Sequence, residues 1–302
     1  KRQSGVGVER LRVRDMQKVP CGHCLGCRAQ QRRQWAVRIY HESFMHQCEV
    51  TSNPRAWFLT LTYDDEHLPL IEGSRGYGTL NPDHTRAFIK SLRKTLPKGR
   101  LSYYLCGEYG SQTQRPHYHA VLFGPDFSDR ARFAYRDGPA TWWSQTVADS
   151  WRHGQHEFSF VSFATAAYVA GYVQKKVDTL ANENYYERYD PRTGEIFKVQ
   201  PEFARMSRNP AIGRRYLEQM WRDIYPRDVV VIDGVQSKPP RYYDKWMDLP
   251  DEKGGSHERR EIMVHVRAKR YEEQQDVPES TLLARESNHK ARKRLFESKG
   301  KL

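Results

Sequence analysis

Two histidines one residue apart, His117 and His119, lie in the run Arg115-Pro116-His117-Tyr118-His119-Ala120-Val121-Leu122-Phe123. The apolar residues that follow predict a buried strand, and alternation along a strand puts both imidazoles on one face with Tyr118 on the other. Neutral imidazole is the commonest metal ligand, and two on one strand leave part of a coordination sphere open to substrate. An isolated His-x-His is more often a pair of half-buried rings, so its chemistry depends on its company. Downstream, Tyr168, Tyr172 and then Lys175 or Lys176 recur at spacings of three and four in an Ala-rich stretch, which places two phenols and a cation on one face of a helix. Gly171, between the tyrosines, costs a helix about 1 kcal/mol relative to alanine. A close approach of DNA or of sheet backbone would explain it.

The third group is Cys21, Cys24 and Cys27, at Cys-x-x-Cys-x-x-Cys spacing, with Cys48 and Cys106 remote. Such uneven use argues against a disulfide framework and for a metal or a reducing compartment. Three thiolates need one more ligand for a tetrahedral zinc site, and His23, His41, His46 and Cys48 are the candidates. Metal-free thiols and an iron–sulfur cluster are the alternatives. A structural zinc knuckle that staples the amino-terminal segment is the expectation taken forward.

With Trp57-Phe58-Leu59-Thr60-Leu61-Thr62-Tyr63 and Cys106-Gly107-Glu108-Tyr109-Gly110 added, the histidine strand and tyrosine helix resemble the HUH endonucleases, specifically the two-tyrosine replication initiators of rolling-circle systems. Including Pro20-Cys21-Gly22-His23-Cys24, the set is most similar to the replication initiation proteins of gokushovirus-type microviruses, which are small single-stranded DNA bacteriophages. Each block alone is a weak signal, and it is the four in this order that are specific.

The resemblance implies a metal-dependent nickase and strand transferase. His117, His119 and Glu108 would hold Mg²⁺ or Mn²⁺, Glu108 because its strand can pair antiparallel with the histidine strand. Tyr168 or Tyr172 would attack phosphorus at the phage origin, leaving a 5′-phosphotyrosine and a free 3′ hydroxyl, with Lys175 or Lys176 favouring the phenolate. A second tyrosine permits a second cut and the joining of the displaced strand into a circle. No Gly-x-x-x-x-Gly-Lys-Ser/Thr loop is present, so a host helicase and DNA polymerase are the expected partners. The alternatives are a relaxase or transposase of the same chemistry, a metal-dependent nuclease that uses water, and a non-catalytic zinc-dependent single-stranded DNA-binding protein.

Charge fits a polyanionic partner: 302 residues carry a formal net charge of +13, with 18 tyrosines and 7 tryptophans available to stack on unpaired bases. No apolar run is long enough to span a membrane and no signal-peptide pattern is visible, so the expected setting is the host bacterial cytoplasm, with no membrane partner.

The expected fold class is α+β, a central antiparallel sheet with helices on one face, as in ferredoxin-like and RRM-like folds, leaving the other face free for DNA. The elements are a basic helix over 28–48, a strand over 57–63, a helix from Pro82 to about Leu96, a hairpin of 101–107 with 117–123, a helix over 141–151, a strand over 157–163, the tyrosine helix over 164–180, a helix over 214–224 and a strand over 229–232. Residues 182–209 read as a loop or hairpin whose Arg205 and Arg208, with Arg214 and Arg215, are candidate phosphate contacts. Three segments result: a Cys-rich segment with a basic helix (1–50), the endonuclease domain (51–232), and a linker with a charged extension that is an exposed helix or disordered (233–302).

Overall fold

The computed structural model describes residues 20–22, 24–46, 54–74, 76–96, 101–133, 140–179, 184–250, 256–275 and 278–299, without the side chains of 172–179, 274–275, 279, 289 and 292–299. The chain begins with α1 (Leu25–Phe44), β1 (Ala56–Thr62), α2 (Pro82–Thr95), β2 (Ser102–Tyr109) and β3 (Pro116–Phe123). Next come β4 (Ala131–Arg132), β5 (Trp142–Trp143), α3 (Gln145–Ser150), β6 (His156–Phe160) and α4 (Phe163–Thr179). Then follow β7 (Glu187–Tyr189), β8 (Ile196–Lys198), β9 (Phe203–Met206) and α5 (Arg214–Ile224). The last elements are β10 (Val230–Ile232), β11 (Val235–Ser237), α6 (Arg241–Met247), α7 (Ser256–Gln275) and α8 (Glu279–Lys299).

A seven-stranded sheet in the order β4-β5-β6-β1-β3-β2-β9 organises the fold, and every neighbouring pair in it is antiparallel. The fold is therefore α+β, as its sequence order predicts. β3 lies between β1 and β2, hydrogen-bonded on both sides, so the histidine strand is held by two ladders. Alternation sorts the side chains cleanly. Trp57, Leu59, Leu61, Leu105, Tyr118, Ala120 and Leu122 turn to one face and pack on Phe88, Ile89 and Leu92 of α2 and on Val147 of α3. Tyr104, Cys106, Val121 and Phe123 turn to the other, against Ala36 and Ile39 of α1 and Ala166, Val169 and Ala170 of α4.

Helices thus cover both faces, and the expectation of one covered and one bare face is corrected. The missed layer is α1. Its buried side includes Arg38, His41, Glu42 and Ser43, so it does not look like a core-facing helix. Arg38 is held between the rings of Trp35 and Tyr242, 4.0 Å from each centroid, and donates to Ile212 O at 3.0 Å. Those contacts offset the cost of taking a guanidinium out of water.

Contacts run across both of the positions, 50 and 232, at which the sequence is divided. α1 packs on α4, and β10 pairs with β11 across the second boundary. The segment expected to be linker contributes Tyr243, Trp246 and Met247 of α6 and Met263 and Val266 of α7 to a third core with Val37, Leu217 and Trp221. Arg270 of α7 bridges Asp228 and Asp244 at 2.9 and 2.8 Å, so this charged helix is tied down as far as that residue. The expected helix over 141–151 is instead the short edge strand β5 followed by α3, which starts after the capping Ser144. Within 182–209, β7 and β8 form a hairpin and β9 joins the sheet beside β2.

Two features of this framework carry testable consequences. Gly154 has φ +149°, and a Cβ there would lie 2.5 Å from Thr62 O and collide with Asp64 N. Because both obstacles are backbone, Gly154→Ala should cost at least about 2 kcal/mol in a urea titration; a neutral result would mean that the β1–β6 junction is looser than this.

Burial also holds His41 and His156 neutral, pushing their pKa values down to about 3 and about 4 from 6.5. The unfolded chain therefore binds protons that the native state does not as pH falls below 6.5, and stability drops there by up to about 1.4 kcal/mol per pH unit for each imidazole. The loss in unfolding free energy between pH 7 and pH 5 should shrink in His41→Phe, and an equal loss in both proteins would overturn the assignment.

Candidate active site

The sheet register builds the site from two neighbouring strands. Glu108 of β2 stands directly across from His117 of β3, and His119 lies two residues further on the same face. Glu108 and His119 are buried, and His117 is half-buried. Glu108 Oε1 lies 2.7 Å from His117 Nε2 and 3.1 Å from His119 Nε2. One ligand atom from each of the three falls within 4.8 Å of the others, as a shared cation would require.

Each imidazole is oriented from behind. His117 Nδ1–H donates to Arg115 O at 3.1 Å, and His119 Nδ1 meets Thr60 Oγ1 at 3.2 Å. Phe58 stacks on His119, with centroids 5.4 Å apart and ring planes 13° from parallel. Thr60 and Phe58 are the functional neighbours that sequence reading did not single out. The signal was present, since both lie in the Trp57–Tyr63 run and β1 pairs Thr60 with His119.

This arrangement fits a divalent cation on its own chemistry. Both nitrogens of His117 face oxygen acceptors, and a neutral imidazole has only one N–H to give. A cation among His117 Nε2, His119 Nε2 and Glu108 settles that conflict with the Nδ1 hydrogen bonds intact, as in other carbonyl-oriented metal histidines.

α4 brings a phenol to the same point. Tyr168 donates to Glu108 Oε1 at 3.2 Å and lies 3.5 Å from His119 Nε2. Its ring meets His119 and Phe58 edge-on, yet 44% of the residue is exposed. The phenol is thus fixed at the triad while remaining open to a large substrate. Tyr118, between the two histidines, points the other way as expected. It bonds to Tyr63 and Asn81, and burial pushes its phenol up to about 12.

Tyr172, Lys175 and Lys176 continue α4 in the backbone, but their side chains lie outside the described residues. The sheet-backbone reason for Gly171 is corrected: a Cβ there would lie 3.3 Å from Arg32 Nε of α1, so its close protein neighbour is a helix side chain and not the sheet. Arg32 Nε donates to Ala167 O at 2.8 Å, so the glycine makes room for a guanidinium that crosses from α1 to the tyrosine helix.

The cysteines form a second cluster. Cys21, Cys24 and Cys27 bring their sulfurs within 4.8 Å of one another, and the backbone N–H groups of Cys24 and Cys27 point at Cys21 Sγ and Cys24 Sγ at 3.2 and 3.5 Å. N–H groups aimed at sulfur suit thiolates, while partial burial pushes the Cys27 thiol up, a cost that a bound cation would offset. Cys24 also caps α1. Of the candidate fourth ligands, His41 is removed by distance, since fourteen residues of helix from Cys27 amount to about 21 Å. It stacks on Tyr216 instead. His46, beyond the end of α1 and paired with Glu42, is removed likewise, while His23 and Cys48 lie outside the described residues.

Comparison with known proteins bears on the same region. A family model for the ORF2-type replication-associated proteins matches residues 56–177, from β1 through most of α4. The replication-associated protein VP4 of Bdellovibrio phage phiMH2K is 34% identical over 236 residues, 75% of this chain and 66% of the relative. The replication-associated protein ORF2 of Spiroplasma virus 4 is 33% identical over 239 residues, covering 76% and 68%. ORF4 of Chlamydia phage 1, also described as replication-associated, is 25% identical over 236 residues, covering 74% of this chain but 52% of its own length. The matches thus span from about half to two thirds of these relatives. No solved structure matches. Among the described residues, no helix is long and apolar enough to cross a membrane.

Proposed function

Since the chain belongs to the microvirus-type replication-associated proteins, we propose that it initiates rolling-circle replication by nicking single-stranded DNA at the phage origin with a tyrosine and later rejoining the ends. In this reading the fold is an HUH endonuclease and the site of action is the bacterial cytoplasm. The observation that carries it is the phenol of Tyr168 at 3.2 Å from Glu108, the carboxylate that also contacts both histidines.

The chemistry follows from those groups. Glu108, His117 and His119 would hold Mg²⁺ or Mn²⁺, which supplies charge neutralisation at the scissile phosphate and at the departing oxygen. Tyr168 Oη attacks phosphorus, and its proton has an acceptor in the Glu108 carboxylate. The P–O3′ bond breaks, the 3′ oxygen takes up a proton and leaves as the hydroxyl that primes synthesis, and the phosphate stays on the tyrosine. Thr60, Phe58 and the Arg115 carbonyl keep the imidazoles aimed. Tyr172, one helical turn on, serves the second cut, with Lys175 or Lys176 favouring its phenolate. Joining is the reverse attack, by a 3′ hydroxyl on the phosphotyrosine, and needs no ATP because the link keeps the phosphodiester energy. Cys21, Cys24 and Cys27 hold structural zinc with a fourth ligand from outside the described residues. Strand separation and synthesis fall to a host helicase and polymerase.

The test is incubation with 5′-labelled and 3′-labelled origin fragments and Mn²⁺, followed by a denaturing gel. Protein attached to the fragment with the new 5′ end supports the tyrosine route. Cleavage with free 5′ phosphates would assign the site to a water-using nuclease. Binding without cleavage of any origin would return the chain to the class of non-catalytic DNA binders.

A further inference from the structure

On the sheet face opposite the triad, α2 and the edge of the sheet enclose a cavity of about 420 Å³. Its floor is Tyr103 and Leu105 of β2, and four of its lining residues are cations: Arg86, Lys90, Arg93 and Arg205. Arg86, Lys90 and Arg93 recur at spacings of four and three, so they line one side of α2 and are exposed. Arg205 comes from β9, where it pairs with Leu105 in register and is anchored by donating to Pro82 O at 3.2 Å. The Arg93 guanidinium lies 5.6 Å from the centroid of the Tyr103 ring. Among the described residues, no carboxylate lines the cavity. The nearest acid on α2, Asp83, is exposed and engages Arg86 alone at 2.6 Å.

We propose that this groove is a second binding site for a single DNA strand, separate from the nicking centre. Cations at the rim suit successive phosphates, and an aromatic floor that no neighbouring side chain fully covers suits a stacked base. Glu108, His117 and His119 face the other way from the same strands, so strand held here cannot be the strand at the metal triad over the same few nucleotides. The groove would hold DNA outside the scissile segment, and the inference stands or falls without the tyrosine chemistry.

The test compares wild type with Arg86→Ala/Lys90→Ala/Arg93→Ala and, separately, Tyr103→Ala. Binding of a long unstructured oligonucleotide is followed by fluorescence anisotropy across a salt series. Three lost phosphate contacts should lower the slope of log K against log salt by about 2, and Tyr103→Ala should weaken binding about tenfold. Adduct formation on a short oligonucleotide covering only the cut segment should be unchanged in both. Because the three cations are exposed, an unaltered melting temperature confirms the fold of the triple variant. Unchanged long-strand affinity and slope would overturn the proposal. So would equal losses on long and short strands, which indicate a general field, or displacement of DNA by inorganic phosphate or by a polyglutamate peptide at comparable concentrations, which indicate a small-anion site or an acidic protein partner. If no origin is cut at all, the salt series still decides the groove while the nicking proposal fails separately.

Discussion

Tyr168→Phe combined with Tyr172→Phe is expected to abolish covalent capture of the new 5′ end, leaving less than about a thousandth of the wild-type rate. That loss corresponds to about 4 kcal/mol of transition-state stabilisation. Phenylalanine preserves the edge-on packing of Tyr168 against His119 and Phe58, so the fold is not at issue. The single variants separate the roles. Tyr168→Phe removes the phenol that contacts Glu108 and should suppress the first cut most, whereas Tyr172→Phe should leave one round of cutting and stop the second cut that circularises the product. Measuring adduct yield and circle yield on the same labelled origin distinguishes them. Full adduct formation by the double variant would eliminate tyrosine as the nucleophile.

Loss of the triad should be as severe. Glu108→Gln keeps the volume of the side chain and one acceptor oxygen but replaces the other with a donor and removes the anion that His117, His119 and Tyr168 all contact. Cleavage should fall by about 10³-fold or more, with Mn²⁺ affinity falling in parallel in a direct metal-binding titration. His119→Ala should do the same and also free Phe58 and Thr60 from their shared contact. Chelation of the wild-type protein should reproduce the loss, with activity recovered on adding Mn²⁺. Activity that survives chelation would mean that the three residues act as a hydrogen-bonded acid–base group instead of a metal site.

Much of this was legible beforehand, and the physical reason is local periodicity. α5 runs over the expected 214–224 because its apolar positions follow helical spacing. β3 was readable from the apolar run that follows its histidines, and the two-residue period of a strand put His117 and His119 together and Tyr118 apart. What escaped reading depends on pairing between distant residues. β9 is four residues long and enters the sheet only by pairing with Tyr104–Gly107, about a hundred residues earlier in the chain, and Trp142 and Trp143 form a strand through pairing with β4 on one side and with Phe158 of β6 on the other. The covered second face was hidden for a different reason: α1 buries Arg38, His41 and Glu42, whose costs are met by stacking and by hydrogen bonds that composition does not reveal. Thr60 was overlooked because a hydroxyl announces itself only through the nitrogen it faces.

The guanidinium that crosses from α1 to Ala167 makes one lever of two parts that the sequence keeps far apart. Cys24 fixes the start of α1, Arg32 grips the tyrosine helix two turns later, and the next residue after Ala167 is the phenol. About 12 Å of one continuous helix thus joins the cysteine cluster to the carbonyl beside Tyr168. On the proposed function, a lesion at the thiols would therefore lie one helix away from the residue proposed to cut.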